Sequence, residues 1–382
     1  MNTLTIDNTT ASWRRLAPRG YLRDLPDVGV GEPVAPVELP HKQVLRGDAL
    51  QRLGELPERS IDCVVTSPPY FLLRDYGVTG QIGLEGSVEE WVASLRPIFA
   101  ELARVLKPGG GLWLNVADTF SRAAKSGAAP KSMLLAPERL LLALGEDGWL
   151  VRSKVIWAKP NTMPNSVVDR LNTTYEPIYF LVRSPRYFFD LDAIREPVTP
   201  SARHLDIAKP HRAARPLREA VEGGASPILG TNPGDVWRIP TKGFRGAHFA
   251  TFPPELIRRP ILATCPERIC TQCGRALKHE VSTWRVPLGG SRIAAKPKDR
   301  FVMRFPERWH TLRQVGALVP CGCGAPTVRG VVLDPFFGAG TTGLVAEQLG
   351  RDWIGIELSD DYARIAEARI FEARIPGAGS GP

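Results

Sequence analysis

Residues 331–343 read VVLDPFFGAGTTG. A short β-branched, apolar run ends in Asp334, and Gly338, Gly340 and Gly343 follow at G-x-G-x-x-G spacing. Strand, glycine loop and helix in that order let the backbone pass close to a ligand and offer it the free N–H groups of a helix start. Taken alone, the pattern fits any nucleotide-binding α/β fold. Glu357 sharpens it. It ends the next expected strand, 352–357 (DWIGIE), where a carboxylate can accept both hydroxyls of a ribose. A dinucleotide would need room for a pyrophosphate. Here Asp334-Pro335-Phe336 narrows the loop and sets an acid and an aromatic ring at its mouth, which suits a sulfonium cation and an amino-acid ammonium better than phosphates.

Working outward, the spacing of apolar residues predicts helices at about 341–349 and 360–374. Towards the N-terminus, 61–66 (IDCVVT) reads as a buried strand broken by Pro68-Pro69. Residues 88–106 carry apolar side chains at helical spacing, interrupted by Pro97 and stopped at Lys107-Pro108-Gly109-Gly110-Gly111. A strand is expected at 111–116, a helix at 134–146, and strands at 151–157 and 175–183. Strands alternating with helices predict an α/β fold built on a parallel sheet.

The loop after the first of these strands reads TSPPY (66–70). An aromatic amine is a poor nucleophile because its lone pair is delocalised into the ring. A catalyst must accept hydrogen bonds from both amino hydrogens and draw the nitrogen towards a tetrahedral shape. The Ser67 hydroxyl can accept one and the Pro68 carbonyl the other. Pro68 and Pro69 lack N–H groups and hold that carbonyl rigidly outward. Tyr70 can stack on a base swung out of a duplex. The competing reading is a Pro-Pro turn that merely ends a strand.

Charge points the same way. The chain has 382 residues, 49 Lys and Arg against 40 Asp and Glu, and a formal net charge of +9, as fits a partner rich in phosphates. Between 196 and 235, Arg203, Lys209, Arg212, Arg215 and Arg218 cluster in a Pro- and Ala-rich stretch. Together with the basic part of 284–313 they are expected to contact DNA, a solvated linker being the alternative. No apolar run of about 18 residues predicts a membrane span, and the start lacks a basic head followed by an apolar stretch. A cytoplasmic chain is expected, and its 6 cysteines are better ligands or core residues than disulfides. Cys270-x-x-Cys273 and Cys321-x-Cys323 are each followed by glycine and suit a closed, structural zinc site. Cys265 or His279 could replace one ligand, and Cys63 reads as core.

Several stretches in this order resemble the β-class amino-methyltransferases of DNA: RGDAL (46–50), TSPPY (66–70), RVLKPGGGLWLNVAD (104–118), VIWAKPNTMP (155–164), GDVWRIP (234–240), HFATFPPELI (248–257), DPFFGAGTTG (334–343) and GIELSDDY (355–362). The resemblance spans most of 43–374. It implies a permuted Rossmann-like, S-adenosylmethionine-dependent methyltransferase sheet with a target-recognition segment and a cysteine-rich insertion. Ser67, Pro68, Pro69 and Tyr70 would form the catalytic loop. Asp334, Phe336, Gly338, Gly340, Thr341 and Glu357 would hold the cofactor, with Asp48 at its adenine end. His248, Phe249, Thr251, Phe252 and Pro253 would close over its methionine end. Trp157, Lys159, Pro160 and Asn161 would line the pocket of the flipped base. The organisation expected is an arm at 1–40, a catalytic half at 41–195, a recognition segment at 196–235, a cofactor-closing segment at 236–264, a zinc insertion at 265–329, a cofactor half at 330–375 and a disordered tail at 376–382. Double-stranded DNA is the implied substrate, and a restriction endonuclease of the same specificity the implied partner. Ser67 favours cytosine N4 as the target, since adenine-N6 members more often carry Asp or Asn there. RNA or protein methylation and a nucleotide-dependent oxidoreductase are further alternatives, the last leaving TSPPY unexplained.

Overall fold

A computed structural model describes residues 39, 41–121, 128–197, 230–241, 251–288 and 308–374. The elements of the main body are β1 (Gln43–Arg46), α1 (Ala49–Gly54), β2 (Ile61–Thr66), α2 (Val88–Val105), β3 (Leu106–Asn115), α3 (Ala136–Glu146), β4 (Leu150–Ala158) and β5 (Tyr175–Val182). A two-residue pair, β6 (Glu196–Pro197) and β7 (Gly230–Thr231), precedes β8 (Val236–Arg238) and α4 (Pro254–Thr264). The cysteine segment supplies β9 (Ile269–Cys270), β10 (His279–Leu288), β11 (Arg308–Leu318) and β12 (Thr327–Val328). The chain then re-enters the body as β13 (Val331–Asp334), α5 (Thr341–Gln348), β14 (Asp352–Glu357) and α6 (Asp360–Arg374).

One eight-stranded sheet has the order β1-β14-β13-β2-β3-β5-β4-β8. Strand β2, which carries the TSPPY loop, lies parallel to β13, which carries the glycine loop. Sequence order therefore hides the contact that matters, and the sheet brings the two loops to one edge. All six residues of β2 and all four of β13 are buried, as befits central parallel strands covered on both faces. Alternation sorts their side chains between two cores. Leu112, Leu114, Leu333, Ile354 and Ile356 pack with Trp91, Phe99 and Leu140 of α2 and α3. Trp113, Val332 and Trp353 pack with Ile257, Ile261, Val345 and Ile370 of α4, α5 and α6.

The structure corrects three expectations. The sheet is mixed, because β5 runs antiparallel to both β3 and β4. Residues 159–174 contain no helix to make a crossover, and without one the chain must return as a hairpin. Nor does Pro97 interrupt α2, which runs through it. Pro97 lies on the exposed face, where water can take the carbonyl that its missing N–H leaves free. Strand β3 also starts earlier than expected, directly at Leu106, with a register shift against β2 between Ile61 and Cys63. Gly111 is needed here: a Cβ would stand 2.8 Å from the Phe180 ring.

Among the described residues no helix is long and apolar enough to cross a membrane.

Candidate active site

A cavity of about 570 Å³ opens where the C-terminal ends of β2 and β13 meet, the crevice in which α/β sheets bind ligands. It has two ends. One is walled by Phe336, Gly338, Thr341 and Glu357 of the glycine-loop half, with Gly47 and Asp48 beside them. The other is walled by Ser67, Pro68, Pro69, Tyr70, Asn115, Trp157, Lys159 and Glu176. Thr251 and Phe252 line it as well.

At the first end the glycine loop is set by its neighbours. Gly340, at φ 75°, starts α5 and packs so tightly that a Cβ would lie 2.7 Å from that of Ala366. Glu357 Oε2 accepts from Gly338 N (2.7 Å) and Oε1 from Ser359 N (2.9 Å). The carboxylate is thereby fixed in one orientation, with a second lone pair on each oxygen for a ligand. Burial raises its pKa, and these N–H donors oppose the rise. Asp48 caps α1, its Oδ1 accepting from Gln51 N at 3.0 Å. Thr341 Oγ1 accepts from Arg369 Nη1 at 2.8 Å.

Asp334 is placed differently from its expected role. It is buried beneath the loop and not on the cavity wall. Its Oδ1 accepts from Thr66 Oγ1 (2.8 Å) and Phe336 N (3.1 Å), and its Oδ2 from Thr342 Oγ1 (2.7 Å). The carboxylate thus ties the end of β2 to the glycine loop. Burial pushes its pKa from 3.8 up to about 6, against those three donors. The folded chain therefore holds this proton more tightly than the unfolded chain does. Asp334 stabilises most at acid pH, and its contribution falls as pH rises from about 4 to about 6, by about 3 kcal/mol in total. Urea melts across that range are expected to show Asp334→Asn losing less stability with rising pH than the unaltered chain. Parallel pH profiles would refute the buried, raised carboxyl.

At the end walled by the TSPPY loop the hydroxyls form a chain. Ser67 Oγ donates to Tyr70 Oη (3.2 Å), and Tyr70 Oη donates to Glu176 Oε2 (2.9 Å). Burial first, then the Glu176 carboxylate, hold the Tyr70 hydroxyl well above its ordinary pKa, so it stays a donor. Asn115 Nδ2 also reaches Glu176 Oε2, at 3.2 Å, and Lys159 Nζ pairs with Glu176 Oε1 while lying 4.3 Å from the centre of the Trp157 ring. Trp91 Nε1 donates to Pro69 O at 3.0 Å and pins the loop from behind.

Comparison with known proteins gives the chain's family. Residues 61–270 and 325–368 match the N6/N4 DNA methylase family. The type II methyltransferase M.Cfr9I of Citrobacter freundii is 34% identical, the match covering 88% of this chain and 89% of that protein. The chain belongs to the N6/N4 DNA methylases. The methylase is also 33% identical to the type II methyltransferase M.XycI of Xanthomonas campestris pv. cyanopsidis, again over 88% of this chain and 89% of the relative. Its fold is shared with the PvuII DNA methyltransferase (cytosine-N4-specific), at TM-score 0.52 and 18% identity over 87% of each chain. It is thus a DNA amino-methyltransferase of the N4 or N6 type that uses S-adenosylmethionine.

Of the residues expected to line the methylase site, Pro160 and Asn161 stand beside the cavity wall. Asn161 Nδ2 donates to Thr241 O at 2.9 Å and its Oδ1 accepts from Thr241 N at 2.8 Å. Gly340 and Pro253 start α5 and α4 as their caps. His248 and Phe249, and the basic residues Arg203, Lys209, Arg212, Arg215 and Arg218, lie outside the described residues, as do residues 1–38 and 375–382. The sequence alone does not single out Asn115 and Glu176. Each is a lone polar residue in an otherwise apolar strand, GLWLNV and YEPIYFLV, and that exception was the available signal.

Cys270, Cys273, Cys321 and Cys323 converge, their sulfurs all within 4.8 Å of one another. Cys265 and Cys63 are instead fully buried in the core, and His279 Nδ1 lies 2.9 Å from Gly316 O, so neither Cys265 nor His279 joins the cluster.

Proposed function

We propose that this methylase transfers the methyl group to N4 of cytosine in duplex DNA, the base being swung out of the helix into the catalytic end of the cavity. S-adenosylmethionine supplies the electrophilic methyl carbon. The reading is carried by the direction of the hydroxyl chain. Because Ser67 spends its proton on Tyr70, its oxygen presents lone pairs, and an amino hydrogen of the base can donate to it. Pro68 O takes the second hydrogen, Pro69 O being engaged by Trp91. Glu176 anchors the far end of the chain and polarises it towards the carboxylate. The nitrogen lone pair is thereby freed for the methyl carbon, and the nitrogen, positive once methylated, returns to neutrality by giving up one of its two hydrogens to solvent.

Lys159 favours cytosine over adenine. Beside its amino group cytosine carries two acceptors, N3 and O2, whereas adenine carries N1 and then a C–H. An ammonium on the pocket wall is matched by the first base and left partly unmatched by the second. Digesting methylated DNA to nucleosides and weighing the product tests this. N4-methylcytosine is expected, and N6-methyladenine would overturn the choice of base.

Glu357 is assigned to the cofactor ribose. Glu357→Ala is expected to weaken S-adenosylmethionine binding by roughly 1.5–3 kcal/mol, the scale of losing hydrogen bonds to a charged group. An unchanged dissociation constant in calorimetry would sink that role.

Zinc is assigned to the four cysteines. Zn–S bonds of about 2.3 Å in a tetrahedron set sulfurs about 3.8 Å apart, which the observed convergence allows. Gly274 (φ 63°) and Gly324 (φ 66°) follow the two cysteine pairs and turn the backbone there. The type II relatives further support a restriction endonuclease that shares this enzyme's recognition sequence, and a place of work in the cytoplasm with the DNA.

A further inference from the structure

Three large apolar side chains stand out by exposure: Met163 (87%), Val168 (97%) and Leu171 (91%). All three sit on one loop, residues 159–174, between β4 and β5. Its stem is closed by Lys159 N donating to Thr174 O at 2.8 Å, and Lys159 and Glu176 at that stem line the catalytic end of the cavity. The loop is shaped rather than loose. Asn172 Nδ2 spans it to Met163 O (3.3 Å), Asn165 Oδ1 accepts from Val167 N (3.1 Å), and Asn161 is locked to Thr241. Arg170 lies 3.8 Å from the centre of the Phe120 ring, and Lys131 pairs with Asp169.

A loop that spends its polar groups on its own shape while presenting apolar tips to water is built to bury those tips elsewhere. We propose that Met163, Val168 and Leu171 form a wedge that enters the base stack of the duplex and fills the space left by the base drawn into the cavity. The inference rests on the DNA-methylase reading. The occupant follows from position and charge. The stem of the loop lines the pocket that would receive the base, and the tips lie within twelve residues of it along the chain and are open to water, so a duplex that gives up a base there passes beside them. Arg170 of the loop carries a positive charge against the Phe120 ring, and the chain as a whole has a net charge of +9, as suits a phosphate-lined partner. Apolar wedges of this kind unstack base steps at a cost of a few kcal/mol, offset by the surface they bury.

The wedge acts on the flipping step, so its loss should be masked wherever flipping is already easy. The modified base is first mapped with the unaltered protein. Methyl transfer from tritiated S-adenosylmethionine is then measured on that duplex and on one with an abasic nucleotide opposite the target. The triple variant Met163→Ala/Val168→Ala/Leu171→Ala is expected to lose at least about tenfold in kcat/KM on the matched duplex and under about threefold on the abasic one, with cofactor affinity unchanged. Leu171→Ala alone, with a smaller loss of the same pattern, serves if the triple variant fails to bind cofactor. No loss on the matched duplex, or equal loss on both, would overturn the wedge. So would a variant whose loss tracks the dissociation of a dimer in sedimentation, since a second copy would then be what covers the tips. If the unaltered protein methylates no duplex at all, the failure belongs to the methylase reading.

Discussion

Replacing Ser67 by alanine is expected to lower methyl transfer by about 10²–10³-fold, the cost of deleting one group aimed at the reacting centre, while the cofactor dissociation constant stays within about twofold. The split follows from geometry. Ser67 lies at the catalytic end of the cavity, and its hydroxyl bonds Tyr70, not the glycine loop. Alanine removes the acceptor for an amino hydrogen and frees Tyr70 from its upstream partner, but leaves Glu357, Gly338 and Phe336 in place. Tyr70→Phe gives a graded control, since it keeps the ring and cuts the link to Glu176. It should cost less than Ser67→Ala if the Ser67 lone pairs matter most, and the two together should cost little more than Ser67→Ala alone, because both break one chain. Equal loss of cofactor affinity in calorimetry would count against the assignment, as would full additivity.

What the sequence made legible was local. A buried strand ending in Pro-Pro, and another ending in a glycine loop, announce themselves because the chemistry of the turn is written in consecutive residues. Helix α2 announces itself by period, with Trp91, Leu95, Phe99 and Leu102 on one face. The orientation of β5 was less legible, because strand direction depends on what fills 159–174 and not on the strand itself. The same holds for Asp334. Its position in the motif is plain, but only the pairing of β13 with β2 shows that Thr66, 268 residues away, donates to it. Glu176 and Asn115 belong to this class too. They meet Tyr70 across antiparallel strands, and a parallel sheet, the arrangement expected from the sequence, gave no reason to bring them there.

The cysteine cluster offers the largest expected effect on stability. Protein purified without added zinc is expected to carry one zinc atom per chain, and Cys270→Ser or Cys323→Ser to lower metal content and thermal stability together. Within the segment, the described strands are pairs alone, β9 with β12 and β10 with β11. Two-stranded units are marginal in water, so something beyond the ladder must hold them. The four sulfurs sit at the root, where Cys270 lies in β9 and pairs with Thr327 of β12. Without metal the thiols compete for protons. Hydrogen bonds, chiefly from Cys273 N, pull the Cys270 thiol down to about 6, whereas Cys273 and Cys321 push that of Cys323 up to about 12. A divalent cation removes that conflict by binding all four as thiolates, and its binding free energy becomes folding free energy for the segment. Chelation should therefore release 265–329 to protease while the eight-stranded sheet, whose two cores do not depend on the cluster, survives. Of the two variants Cys323→Ser is the sharper probe, because Cys323 is exposed and its loss opens no cavity. A metal-free preparation that is fully folded and resists protease across 265–329 would refute the site. Zinc retained at one atom per chain in Cys323→Ser would instead remove Cys323 from the ligand set.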